Sequence, residues 1–417
     1  TRRATERPLT RMIDADPAAT MRQRLAEQLT GKGLLAQPEV AAAFRAVPRH
    51  LFAPPGTSLE AAYADEALVT KRDADGKATS SISAPWLQAY MVQTAGLRPG
   101  ARVLEIGSGG YNAALVAEIV GPTGAVTSID IDTDVVGHAR AALTRAGYLH
   151  VQVFPADAEH GYPARAPYDA IIVTVEANDI PPAWTAQLAP GGVLVVPLRI
   201  RANTRCLTLR RQDDHLTATA ALQCGFVPMQ GHGHSPTHRL SLLGEDAVLE
   251  LDEATSLNPT AFGAALHQPR AEAWSPVALA TDDNTAFESL HLWLASQPRP
   301  FAVLTVDRER TAGLLDPQDR FVCPTLLAPD SLAYLTVRRS DDSRWQLGAH
   351  GFGPHGTDLA QEMTDLIRIW DRHHRHTDDP HITIHRAGTQ LSPSASPRLL
   401  VRRRHTVIAV AWPGRHS

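Results

Sequence analysis

The sequence predicts an α/β protein: a mostly parallel sheet covered by helices on both faces, followed by a C-terminal α+β domain. Three observations lead there. From Arg102 onward, segments rich in Val and Ile alternate with helical segments, the pattern of a parallel sheet buried on both sides. A Gly-Ser-Gly-Gly turn, Gly107 to Gly110, joins the first of those strands to a small-residue helix. The length, 417 residues, exceeds what one core usually supports, so two domains are expected, 1–230 and 231–417.

Taken in order, Asp16-Pro17 is a helix start, a capping carboxylate before a residue suited to the first turn, and the helix runs to about Leu29. A second helix spans Pro38 to Ala46 and stops ahead of Pro48. Then come strand Val103–Ile106, helix Ala113–Val120, strand Ala125–Asp130, helix Asp134–Ala146 and strands Val151–Phe154 and Tyr168–Val175. Helix Pro181–Leu188, strand Val193–Pro197 and a hairpin, Cys206–Arg211 with Leu216–Gln223, close the first domain near Met229. Its boundary is "QGHGHSPTH", Gln230 to His238. Beyond it the pattern predicts helices Pro259–Gln268, Thr285–Gln297 and Thr357–Arg375. Strands are predicted near Ala302–Thr305, Ala333–Arg338, Trp345–Gly348, His381–His385 and Thr406–Ala411, with a loop at Leu391–Pro397. The stripe Leu290, Leu292, Trp293 and Leu294 is expected in the core.

Composition excludes several classes. Net charge is -4 and the arginines are scattered, so there is no electrostatic footprint for nucleic acid. No apolar run is long enough for a bilayer, and Thr1-Arg2-Arg3 leads into polar residues, which predicts a soluble, cytoplasmic protein. Cys206, Cys224 and Cys323 lie far apart, against a disulfide framework or a Cys-x-x-Cys site. Histidines gather at His232, His234 and His238, and again at His373, His374, His376, His381 and His385. No supporting Cys or carboxylate spacing accompanies them, so no metal is expected, and a helix end that favours cations accounts for the second group.

The glycine turn lets the backbone approach a ligand closely, and three carboxylates narrow the ligand. Glu105, inside the strand before Gly107, Ser108 and Gly109, repels a pyrophosphate but attracts an α-amino group. Asp130 ends the next strand, where it can accept both hydroxyl protons of a ribose, with Ile131 beside it. Asp157, with Ala158 after it, follows the third strand, where it can accept the amino hydrogens of adenine. Each alone also fits a solvated strand end or a helix cap. Together, at consecutive strand ends, they point to S-adenosylmethionine and a Rossmann-like class I methyltransferase domain.

At this point the chain resembles the protein-L-isoaspartate O-methyltransferases. The residues that carry the resemblance are "VPRHLFAP" (Val47–Pro54), "AYADEAL" (Ala62–Leu68), "SISAP" (Ser81–Pro85), "VLEIGSGG", "APYDAIIV" and "FVP" (Phe226–Pro228), in the family's order across roughly the first 230 residues. Two features depart from the pattern. The glycine loop is one residue shorter than the family's Gly-x-Gly-x-Gly, and "VTKRDADGKATS", Val69 to Ser80, is inserted ahead of the Ser-Ala-Pro element. With the long C-terminal extension, these resemble the branch associated with ribosomally made modified peptides, the FxLD lanthipeptide systems. That resemblance implies methylation of a peptide aspartate by S-adenosylmethionine, with S-adenosylhomocysteine as product. The ester then closes to aspartimide and opens to isoaspartate.

An acceptor carboxylate with a pKa near 4 is ionised at neutral pH, so no general base is required. The protein must align it with the methyl group and exclude water. The resemblance makes Ser83 the residue that holds the carboxylate, with Ile82 beside it, Ser81 and Gln88 near cofactor or acceptor, and Val227 offering backbone groups to a peptide. Ser83 as the cap of helix Pro85–Thr94 is the competing structural role. Two other functions stay open: a general isoaspartyl repair methyltransferase, and a non-catalytic cofactor-binding module that presents a peptide.

Overall fold

The computed structural model describes residues 16–252, 257–317, 322–340, 343–377, 379–391 and 398–413; the polar N-terminal run and most of the Leu391–Pro397 loop lie outside these. The chain packs as two compact units, one ending at Pro155 and one beginning at Ala156. The compositional break at Gln230 falls inside the second.

In the first unit, α1 (Pro17–Gly31) starts where the Asp16 carboxylate accepts from the N–H of Ala18 at 3.0 Å. Helix α2 (Pro38–Ala46) ends as Val47 turns extended before Pro48, and α3 (Leu59–Ala62) is capped by Ser58. The inserted segment is a hairpin of β1 (Leu68–Arg72) and β2 (Ala78–Ile82). Its turn is built by the Asp73 carboxylate, which accepts from the N–H groups of Asp75 (3.1 Å) and Lys77 (2.8 Å). Helix α4 (Pro85–Ala95) leads to β3 (Arg102–Ile106), α5 (Tyr111–Val120), β4 (Ala125–Asp130), α6 (Thr133–Ala146) and β5 (Gln152–Pro155). Strands β3, β4 and β5 are parallel neighbours in that order, as the alternation predicts. Val103, Leu104, Ile106, Val126 and Ile129 are buried between the helices.

The second unit opens with β6 (Tyr168–Val173), α7 (Pro182–Gln187), β7 (Leu188–Ile200), β8 (Asn203–Gln212) and β9 (His215–Gln223). β6 and β7 are parallel, while β7, β8 and β9 form an antiparallel meander. β7 begins earlier than Val193, because the Pro190-Gly191-Gly192 run is absorbed as an irregularity in its pairing with β6. There follow β10 (His238–Ser241), β11 (Ala247–Leu251), α8 (Pro259–Leu266), β12 (Ala271–Leu279), α9 (Asn284–Ala295), β13 (Phe301–Val306) and α10 (Arg308–Thr311). Next are β14 (Cys323–Ala328), β15 (Ser331–Arg339), β16 (Trp345–Phe352) and α11 (Gly356–His373). These strands make an antiparallel sheet in the order β10-β11-β13-β14-β15-β16-β12. One face packs on α9 and α11 through Leu290, Trp293, Leu294, Met363 and Trp370, so the leucine stripe is core. The other face packs on α8 through Phe262 and Leu266.

The last three strands, β17 (His381–Arg386), β18 (Leu399–Arg402) and β19 (Thr406–Ala411), return to the meander: β17 pairs with β9, β19 with β17, and β18 with β19. The second histidine group is therefore split. His373 and His374 stand at the end of α11 and His376 in the turn after it, but His381 and His385 are on β17, so the helix dipole accounts for only part of it.

Candidate active site

The glycine loop between β3 and α5 has the conformation its composition requires. Gly107 has a φ of 96° and its N–H donates to the Ile129 carbonyl at 2.8 Å. Gly110 caps α5 with a φ of 80°, and a Cβ there would lie 3.1 Å from Phe52. Asp130, at the end of β4, braces the loop: one carboxylate oxygen accepts from the Ser108 N–H at 2.9 Å, the other from the Asp132 N–H at 2.9 Å. Burial raises its pKa, against the lowering effect of those N–H groups. The Ile131 N–H also lowers it, and with three backbone donors on about four acceptor sites the carboxylate keeps room for a further hydroxyl. Ile131 next to it is 41% exposed, an uncovered apolar face at a strand end.

The hairpin lies against this loop. A Cβ on Gly109 would be 3.7 Å from Cγ1 of Ile82 and 3.8 Å from the carbonyl oxygen of Ser81, so the glycine loop and the Ser81-Ile82 backbone are close neighbours. Lys71 on β1 ties the hairpin to the start of α6 through Asp132 (2.6 Å) and Asp134 (2.9 Å). A cavity of about 840 Å³ opens here, with His50, Thr70, Lys71, Ser80, Ser108 and Gly109 among its walls. Ser108 is buried and its hydroxyl has no hydrogen-bond partner. That oxygen is itself sealed from solvent, so Ser108 shapes the wall rather than presenting its hydroxyl to the cavity.

Three expectations need correcting. Glu105 does not offer its carboxylate to the cavity. It is fully buried behind the loop, where one oxygen accepts from Nδ2 of Asn112 at 2.9 Å and the other from the Ser128 hydroxyl. Burial pushes its pKa up to about 7, opposed by those two hydrogen bonds. Gln88 is also buried, and its Oε1 accepts from Arg49 at 2.9 Å, so it braces rather than touches a ligand. Ile82 is 2% exposed, which leaves it a packing role. The competing role for Ser83 is also absent: the cap of α4 is Ala84, and no side chain caps that helix.

The residue missed by sequence reasoning is Arg49. Its buried guanidinium donates to the carbonyls of Ala62 (3.0 Å), Glu66 (3.1 Å) and Ser83 (3.0 Å) as well as to Gln88, and lies 4.9 Å from the Tyr111 ring. It thereby fixes the backbone at Ser83. Burial pulls its pKa below the ordinary value. The only signal was its place in Arg-His-Leu-Phe, which says nothing of burial.

In the second unit, Asp157 acts as a local cap. Its carboxylate accepts from the Glu159 N–H (2.9 Å), the His232 N–H (3.0 Å) and the His232 ring Nδ1 (2.7 Å). Burial works to raise its pKa, but the His232 and Glu159 contacts prevail and hold it below the usual carboxylate value. The Ala158 carbonyl accepts from the Trp184 indole at 2.7 Å. The Val227 carbonyl accepts from the Glu176 N–H at 2.8 Å, so that group is committed within the protein.

Comparison with known proteins decides what this geometry belongs to. Residues 20–234 match the family model described as protein-L-isoaspartate(D-aspartate) O-methyltransferase. The chain belongs to that family. A protein-L-isoaspartate O-methyltransferase of Ignicoccus hospitalis is 42% identical over 210 residues, covering 50% of this chain and 96% of the relative. One of Methanopyrus kandleri is 38% identical over 213 residues, covering 50% of this chain and 91% of the relative. A solved structure, a protein-L-isoaspartate O-methyltransferase, aligns over 87% of this chain and 96% of its own length with a TM-score of 0.49 and 22% identity. As a member of the family, the chain is an S-adenosylmethionine-dependent protein carboxyl O-methyltransferase, and its α/β unit is the class I methyltransferase fold. The residues present fit that cofactor: a loop without side chains at Gly109 and Gly110, and an Asp130 carboxylate at the end of β4 with room for a further donor. No helix among the described residues is long and apolar enough to cross a membrane.

Proposed function

We propose that this protein methylates the side-chain carboxylate of isoaspartyl residues in proteins or peptides, the repair chemistry of its family. The observation that carries this reading is the cavity in the first unit, with Ser108 and the bare Gly109 backbone in its wall and the Ser81-Ile82 backbone packed against that glycine. Bound S-adenosylmethionine supplies an electrophilic methyl group. The protein's part is placement. The Gly107–Gly109 backbone holds the amino-acid end, Asp130 accepts a ribose hydroxyl proton, and Ile131 covers an apolar face. Ser83 donates its hydroxyl to one oxygen of the acceptor carboxylate and leaves the other free to attack. Arg49 keeps Ser83 in place through its carbonyl. No base is needed, because the acceptor is ionised above about pH 5. In this reading residues 1–230 carry catalysis and 231–417 contribute to recognition of the substrate.

A second reading is methylation of a normal aspartate in a ribosomally made, modified peptide of the lanthipeptide type, the ester then closing to aspartimide. The feature that favours it is the seven-stranded sheet formed by residues beyond the family match. One experiment separates the two. Methyl-labelled S-adenosylmethionine is supplied with an isoaspartyl peptide and with its aspartyl counterpart, and base-labile label is counted. Label on the isoaspartyl peptide alone supports repair, and Ser83→Ala then lowers kcat by about 1–2 orders of magnitude while cofactor Kd holds. Label confined to an aspartyl residue overturns the repair reading.

A further inference from the structure

We propose that the second unit carries a cationic cavity that binds an acidic segment of the peptide substrate. This rests on the carboxyl-methyltransferase reading and adds a substrate preference to it. The cavity, about 590 Å³, lies where the returning strands meet the meander. Part of its wall, Ile180 to Ala186 and Arg211 to Leu216, falls within the family match; the rest, Ile384 to Ala387 and Arg404 to Thr406, comes from the C-terminal strands. Neither part makes the cavity alone.

Its floor is apolar: Ile180, Leu216 and Ile384 are each no more than 5% exposed. Three guanidiniums stand around it, on Arg211, Arg386 and Arg404. Their compensation is incomplete. Asp214 is the one carboxylate in the lining, and it lies 3.3 Å from Nδ1 of His215. Glu159, behind the wall, accepts from His405 at 2.8 Å and is 3.9 Å from Arg404. Asp179 is taken by the His405 N–H at 2.6 Å and by the Thr406 hydroxyl. Arg211 rests on a neutral group, the Thr185 carbonyl at 2.9 Å. The Arg386 side chain is exposed and has no partner among the described residues. The His215 and His385 rings stack at 4.8 Å and form a flat wall, and burial followed by the neighbouring His215 lowers the pKa of His385.

Size and layout select the ligand. A lone phosphate needs donors that converge on one point, whereas these guanidiniums stand on three separate segments around an apolar floor. That suits an extended peptide presenting carboxylates to the rim and an apolar side chain to the floor. Binding energy gained there, by a part of the peptide other than the reacting carboxylate, lowers KM without touching the chemistry.

The test uses the full chain with two isoaspartyl peptides that differ only in a Glu/Leu segment replaced by Gln/Leu. Fluorescein-labelled copies are followed by anisotropy, so binding is read apart from turnover. The acidic peptide is expected to have the lower KM and Kd, by about tenfold, a preference that fades with salt. Arg386→Glu should abolish that preference with kcat unchanged, and Arg386→Lys should keep most of it. Equal affinity for the two peptides in the wild type, or an Arg386→Glu variant that keeps the preference, overturns the proposal. So does displacement of the acidic peptide by millimolar inorganic phosphate, which would make this a site for small anions. Methylation of both peptides with equal KM refutes the cavity's role alone. Absence of methyl transfer refutes the enzymatic reading, and the anisotropy result still decides the cavity.

Discussion

Replacing Glu105 by Gln gives a pH-dependent stability change whose size follows from the burial of one carboxyl. In the folded protein the pKa of Glu105 is raised from 4.5 to about 7. Between those values the folded state binds a proton that the unfolded state has released, so wild-type stability falls as pH rises through this window. Below pH 4.5 there is no penalty, and above pH 7 it is complete. At about 1.4 kcal/mol per pK unit, the full cost is about 3 kcal/mol, of which about 1 kcal/mol is already present at pH 5. Gln has nearly the shape of the protonated acid. Its oxygen accepts from Asn112, and its amide donates to the Ser128 hydroxyl, which accepts in return. The variant therefore gains on the wild type by about 2–3 kcal/mol between pH 5 and pH 8.5. Amide hydrogen exchange on peptides covering β3 and β4, each pH corrected for intrinsic rate, reads this directly as a variant-to-wild-type protection ratio rising roughly 50-fold. A ratio that stays flat with pH refutes the burial argument. Cofactor affinity gives the second check: a loss of more than about tenfold would return the Glu105 carboxylate to the cavity, where the sequence placed it.

Other substitutions probe the rest of the site. Arg49→Met leaves the Gln88 amide oxygen and three carbonyls without their donor and should cost about 3–5 kcal/mol in chemical denaturation, while Arg49→Lys should fold but lose kcat more than cofactor affinity. Gly110→Ala meets Phe52 at an unfavourable φ and should lower stability by about 1–3 kcal/mol; Gly109→Ala, with only ordinary contacts, should keep its melting temperature and weaken cofactor binding in titration calorimetry. His232→Ala removes the ring that occupies Asp157, so if the adenine role predicted for Asp157 is right the cofactor binds more tightly, by up to about tenfold; unchanged affinity would remove Asp157 from the cofactor site.

Much of the first unit was legible because local chemistry and burial agree there. Asp16-Pro17 and Pro38 announce their helices, and Val103–Ile106 and Ala125–Asp130 have no role open to them but buried strands. The second unit was harder, because its strands carry residues that argue against strands. Pro324 sits in β14, but ahead of the ladder to β15, and Pro276 falls in the break of register of β12, an edge strand. The β1–β2 hairpin read as an insertion, although its Asp-Ala-Asp-Gly turn signal was present. At the site, residue type was a better guide than direction. Asp130 lies at the end of its strand with an oxygen on the Ser108 N–H, whereas Glu105 and Gln88 turn inward, because motif membership names their partners Asn112 and Arg49 without saying which way either side chain points.

The pairing of β17 with β9 constrains how this chain is made. Thr383 bonds across to Thr217 only after the whole intervening antiparallel sheet has been synthesised. Until then β9 is an open edge, able to recruit a neighbouring nascent chain. Cutting at the end of the family match would make that exposure permanent, so β17 acts as a late-arriving latch, and shortened versions are expected to precipitate rather than work as a smaller enzyme.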